Sequence, residues 1–130
     1  MDDQPLPGAI DRRSEDYMIR LAFWQKTSQI FTQKEIMFAA DVDTIITKQG
    51  IGNIHRQAIA VCLMQIVTAR KAKKAAGQRA IFFLHQYILG DKGTRHVSDL
   101  VQGCLWLNRT GMSQAHIFSV LTLLIETIKP

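Results

Sequence analysis

The chain has 130 residues, of which 47% are hydrophobic and 21% are charged, and this composition excludes wholesale disorder. A single domain of this length buries roughly two-thirds of the surface that the unfolded chain exposes. The formal net charge of +5 favours nucleic acid, an acidic protein surface or anionic lipid as a partner, and the distribution of the charge has to decide among them.

The first part of the chain predicts a loose leader followed by a helix. Residues 1–13 hold two of the three prolines, so we expect a flexible leader there and a single helical domain over residues 14–130. Ser14 is a predicted N-cap, because two acids follow it and suit the positive end of a helix dipole. The helix is expected to end near Ser28. Its apolar positions at helical spacing are Tyr17, Met18, Leu21, Ala22 and Trp24.

The next two helices are marked by their ends. Residues 32–35 read Thr-Gln-Lys-Glu, which matches a capping box and predicts a second helix that stops at Gly50. Asn53 is the predicted cap of a third helix. That helix is expected to run unbroken from Ile54 to Ala76, with Gly77 as its C-terminal stop.

Three more helices complete the prediction. Residues 78–89 precede Gly90, and their run Ile-Phe-Phe-Leu at 81–84 would also suit a strand; the absence of any partner strand favours a helix. Ser113 is the predicted cap of a sixth helix over residues 114–128. The fifth helix carries an apolar stripe at Val97, Leu100, Val101, Cys104 and Leu105. The sequence therefore predicts an all-α, compact, single-domain bundle of about six helices.

The distribution of charge is the most informative feature of the sequence. From Thr44 through Gly90 there is no Asp or Glu. If the third helix is continuous, the four cations between Arg70 and Lys74 fall within an arc of about 160° at about 100° per residue. This predicts a basic helix end that binds phosphate through charge and does not read bases. Such cations can equally complement the helix dipole and keep the surface soluble.

The predicted nucleic-acid-binding residues follow from this pattern. A second contact is expected where a Gly-Asp-Lys-Gly-Thr string precedes the fifth helix, although an ordinary turn capped by Thr94 explains that string as well. The main contacts are Arg70, Lys71, Lys73, Lys74 and Arg79, extended by Arg56 and Lys48, with Lys92 and Arg95 at the second contact.

A helix-turn-helix and a base-stacking surface are both disfavoured. A recognition helix must expose several polar side chains, and the sixth helix is too apolar for that, so we expect it to be a central or interface helix. Five aromatic residues are candidates for stacking on bases, but they sit among aliphatic residues and core packing is favoured. They are Trp24, Phe82, Phe83, Tyr87 and Trp106.

The sequence gives little support to catalysis or metal binding. Asp41 and Asp43 lie about 200° apart on a helix and do not converge. The neighbours His96, Ser98 and Asp99 fit a polar helix start. The histidines and the two cysteines are scattered singly and not at metal-ligand spacings, so we expect no cofactor and no metal.

Two functions remain open from the sequence. The first is a small basic non-enzymatic accessory protein that binds the phosphate backbone of DNA or RNA. The second is a helical adaptor or structural subunit, because the third, fourth and sixth helices are apolar around most of their circumference and leave a surface for a partner or a homodimer. The acidic N-terminus, the short apolar runs and two cysteines in apolar surroundings predict a cytoplasmic protein without a membrane span.

Overall fold

The computed structural model describes residues 7–48, 53–70, 74–90 and 96–128, and within these ranges the chain forms six α-helices and no strand. The prediction of an all-α fold with about six helices is confirmed. None of the described helices is both long and apolar enough to cross a membrane. The helices are α1 (Pro7–Ile30), α2 (Gln33–Lys48), α3 (Asn53–Ala69), α4 (Lys74–Leu89), α5 (Val97–Arg109) and α6 (Gln114–Ile128).

The chain divides into two compact units, Met1–Ile36 and Met37–Pro130. The first contains α1, which begins at Pro7, so the predicted start at Ser14 is wrong. Proline suits the first position of a helix because its φ is already helical and its missing N–H would be unpaired there. Whether residues 14–130 act as one domain stays a prediction.

The apolar face predicted for α1 is also wrong. Met18 is 58% exposed and Leu21 is 37% exposed, whereas Phe23 and Thr27 are buried. The Thr27 hydroxyl donates to the Phe23 carbonyl at 2.6 Å, so this polar side chain is satisfied inside its own helix and can be buried at low cost. An apolar pattern alone could not identify that face.

The capping box that begins α2 is confirmed. The Thr32 backbone N–H donates to Glu35 Oε1 at 2.9 Å, and the Glu35 N–H donates back to Thr32 Oγ1 at 3.2 Å. Two backbone donors at the helix start are thereby satisfied. In the second unit α2 then buries an apolar stripe of Phe38, Ala39, Val42 and Ile46.

The predicted continuous helix over 54–76 is wrong. Helix α3 ends at Ala69, and α4, which the sequence correctly predicts as a helix, already begins at Lys74. Gly77 stops no helix, because it lies inside α4 and is buried. It shares one face with the buried residues Ala80, Leu84 and Tyr87, and a chain reversal lets this face pack against neighbouring helices.

The second unit is built on antiparallel neighbours. Gln57, near the start of α3, donates its side-chain N–H to the carbonyl of Ile88 near the end of α4, at 3.0 Å. Helices α4 and α5 approach closely at Gly103, where a Cβ atom would lie only 2.5 Å from Leu84 Cδ2. The predicted α5 stripe is confirmed, since Leu100, Val101, Cys104 and Leu105 are buried and Val97 is half-buried.

The connection from α5 to α6 follows the predicted signals. Gly111 has a φ of 114°, a conformation that favours glycine, and Ser113 Oγ accepts the His116 N–H at 3.1 Å as a cap. In α6 only one face is fully buried, with Ile117 as its first residue, while Leu123 is 66% exposed. Of the two predicted positions for this helix, central burial does not hold, and an interface helix stays a prediction.

Candidate nucleic-acid interface

Arginines from three separate elements lie at one end of the second unit. Arg70 follows the end of α3, Arg79 lies in the second turn of α4, and Arg109 is the last residue of α5. The guanidinium carbons of Arg79 and Arg109 lie 5.5 and 5.2 Å from the centre of the Trp106 ring system. Arg70 Nη2 lies 3.9 Å from the position that a Cβ of Gly111 would occupy. Arg70, Arg79 and Arg109 are called the arginine cluster below.

Trp106 restrains two members of this cluster. The indole is half-buried, while Arg79 and Arg109 are both exposed. A guanidinium group over an aromatic ring gains about 0.5–1 kcal/mol at an exposed site, and the contact limits the number of side-chain rotamers. Two exposed cations are thus held close to fixed positions, which reduces the entropy that a ligand would have to remove on binding.

The sequence around the arginine cluster is poor in acids. Between Thr44 and Ile125 the only acidic residues are Asp91 and Asp99. Asp99 lies in the first turn of α5, about 15 Å along the helix axis from Arg109. Asp99 therefore contributes little negative charge at the arginine end.

The predicted site residues have different outcomes. Arg70 and Arg79 both belong to the arginine cluster, but they lie on either side of the break between α3 and α4 and not in one helical arc. Lys74 is the first residue of α4, and Lys48 is the last of α2. The side chains of Lys48 and Lys74 lie outside the described residues, as do Lys71, Lys73, Lys92 and Arg95.

Arg56 does not extend the arginine cluster. It lies in the first turn of α3, about 21 Å along the axis from Arg70. The residue is half-buried, and its Nε atom is buried without a hydrogen-bond partner. Its position at the opposite end of α3 contradicts the expected continuous strip of cations.

Arg109 is the functional candidate that sequence reasoning missed. It is the only Asp, Glu, Lys or Arg between Asp99 and Glu126, and it lies far in sequence from the Arg70–Arg79 segment. One signal for it exists, because Trp106 and Arg109 are three residues apart and such positions are neighbours on a helix surface. Only the packing of α4 against α5 brings Arg79 to the same ring.

The aromatic side chains divide into core and surface. Tyr87 is fully buried and Phe83 is half-buried, so core packing is confirmed for Tyr87. Phe82 is 54% exposed, and the prediction of core packing is wrong there. Its ring stands edge to face with Phe83, with 5.1 Å between their centres.

Two ionisable groups of α5 have shifted pKa values. Burial raises the pKa of Asp99, and the charge of His96 partly opposes this. His96 is the N-cap residue, and its carbonyl accepts the Asp99 N–H at 3.0 Å. Burial also raises the pKa of the Cys104 thiol to about 12. Among the described residues, no three His, Cys, Asp or Glu side chains come together as a metal site would require.

An apolar groove runs along the surface between α3 and α4. It has a volume of about 530 Å³ and is open to solvent. Val61 and Met64 line it from α3, and His85 and Ile88 from α4.

Comparison of the chain with protein-family models, with curated proteins and with solved structures gave no match.

Proposed function

We propose that this chain is a small non-enzymatic accessory protein that binds the phosphate backbone of nucleic acid through the arginine cluster. The observation that carries the proposal is the convergence of three arginines from separate elements, two of them held by Trp106. Surface arginines that only keep a protein soluble have no need to share one aromatic ring.

Guanidinium groups suit this task for two physical reasons. Their planar fork of N–H donors matches phosphate oxygens, and they keep their charge at any physiological pH. Each phosphate that they neutralise releases condensed counterions, so the affinity falls as the salt concentration rises. Three contacts alone give a slope of log K against log salt of about −2 to −3.

The test is a fluorescence anisotropy titration with labelled DNA and RNA at several salt concentrations. The variant R79Q/R109Q removes two charges from the arginine cluster, and K26Q/K34Q removes two exposed charges of the first unit. We expect the first variant to reduce the salt slope by about 2 and the second to leave it unchanged.

Two results would reject the proposal. One is the absence of salt-dependent binding to any of the nucleic acids. The other is an equal loss of affinity in both variants, since this would mean that overall charge acts without a defined site. Circular dichroism spectra of both variants establish that each is folded.

A second candidate is the adaptor or structural subunit, and the outward face of α3 favours it. Ile54 is 79% exposed and Val61 is 38% exposed, and the groove between α3 and α4 begins beside Val61. The exposed positions of this helix carry no charged residue. Light scattering on a concentration series tests this function. We expect the wild type to self-associate and Val61→Lys to abolish the association. A monomer at every concentration argues against a homodimer.

A further inference from the structure

We infer that the nucleic acid bound by this chain is single-stranded, and that one of its bases stacks on Phe82. The inference rests on the proposed function, and it adds a contact residue and a substrate class. Phe82 lies one turn after Arg79 on α4, and the residue is 54% exposed. An exposed aromatic ring therefore adjoins the arginine cluster on the same helix.

The exposed face of α4 combines the groups that a single strand requires. Arg79, Phe82 and Gln86 are all exposed, and they fall within an arc of about 60° over about 10 Å of helix. They supply a cation for a phosphate, a ring for a base face, and an amide that donates and accepts hydrogen bonds. No acid occurs on α4 to repel a phosphate.

The ring of Phe82 is supported from behind. Phe83 is half-buried and meets Phe82 at an interplanar angle of 84°, so the edge-to-face contact restrains the exposed ring. Trp106 is less suitable for a base, because Arg79 and Arg109 both lie over its ring system. Phe82 thus offers an exposed aromatic surface beside the arginine cluster.

The ring distinguishes single strands from duplexes. In a duplex each base is covered on both faces by its neighbours, and the phosphates alone remain for the arginine cluster. An unpaired base offers its face to an aromatic side chain, and this stacking tolerates any sequence. A phosphate contact beside an exposed ring therefore fits a single strand better.

The experiment compares an oligonucleotide of about 15 nucleotides as a single strand and as a duplex, by anisotropy. Phe82→Leu keeps an apolar side chain and removes the ring, while Phe82→Tyr keeps the ring. Leu89→Ala is the matched control, since Leu89 is 69% exposed on the same helix. We expect Phe82→Leu to weaken single-strand binding about tenfold, with wild-type affinity in the other two variants and little change for the duplex.

The outcomes separate this inference from the proposed function. If the wild type binds with a salt dependence that R79Q/R109Q reduces, but Phe82→Leu binds single strands equally well, the stacking is refuted and the phosphate site survives. A preference for the duplex refutes the inference in the same way. If Phe82→Leu instead alters the oligomeric state and leaves binding unchanged, the ring contacts protein. If no nucleic acid binds, both proposals fail together.

Discussion

Gly103→Ala tests the helix contact that places Arg79 beside Trp106. A Cβ atom at this position would lie 2.5 Å from Leu84 Cδ2 and 2.7 Å from Leu84 Cγ. Carbon atoms in van der Waals contact are about 3.5–4.0 Å apart, so the overlap is about 1 Å. Leu84 is fully buried, and protein interiors are close-packed, so moving its side chain must displace neighbouring atoms.

The expected magnitude is the difference of two opposing effects. Replacing glycine by alanine inside a helix gains about 1 kcal/mol of intrinsic helix stability. Overpacking a buried contact costs about 1–3 kcal/mol. We therefore expect Gly103→Ala to lower the free energy of unfolding by about 1 kcal/mol.

The Leu84→Ala background reverses the sign of this effect. Leu84→Ala by itself is expected to cost about 2–5 kcal/mol, and it removes both atoms that oppose the new Cβ. Adding Gly103→Ala to it should then raise the stability by about 1 kcal/mol, which gives a coupling of about 2 kcal/mol between the two sites.

Urea denaturation followed by circular dichroism measures all four proteins of the cycle. The comparison requires that the dependence on urea concentration be the same in each variant. If Gly103→Ala stabilises the wild type as much as the Leu84→Ala protein, the two residues are not in contact. The packing of α4 on α5, and with it the geometry around Trp106, would then be wrong.

Three further predictions concern α5 and its surroundings. Because burial raises the pKa of the Cys104 thiol to about 12, a Cys62→Ser variant should not react with Ellman's reagent until it unfolds, and rapid reaction of the native protein would contradict this. The pKa of Asp99 is raised above 3.8 in the folded state. Ionisation of this carboxyl therefore favours the unfolded chain, and the free energy of unfolding falls as the pH rises from 3.8 through the folded-state pKa. Asp99→Asn should therefore reduce the fall in unfolding free energy between acidic and neutral pH, and an unchanged pH profile would refute the assignment. Ser113→Ala should cost about 1 kcal/mol by removing the cap on the His116 N–H, and Ser113→Asp should restore most of it in thermal unfolding.

Local signals in the sequence were sufficient for several helix ends. The Thr32–Glu35 capping box and the Ser113 cap depend on neighbours within three residues, so the chain itself contains the information. The apolar stripe of α5 was equally readable, because its spacing reports which face is buried.

Features that depend on tertiary packing could not be read in this way. Gly77 has the identity of a helix stop, yet it lies on a buried face that only the reversal between α3 and α4 creates. Arg109 joins the arginine cluster because α5 returns alongside α4, which no local pattern reports. The opposite error occurred at Phe82, whose apolar neighbours concealed an exposed position.

The two tryptophans of the chain, Trp24 and Trp106, allow a direct test of where nucleic acid binds. Each indole N–H gives one resonance in a two-dimensional nitrogen–proton NMR spectrum, and a Trp24→Phe variant assigns them. On titration with a single-stranded oligonucleotide, we predict that the Trp106 resonance moves to saturation. Binding that leaves the Trp106 resonance unmoved would contradict the placement of the site at the arginine cluster.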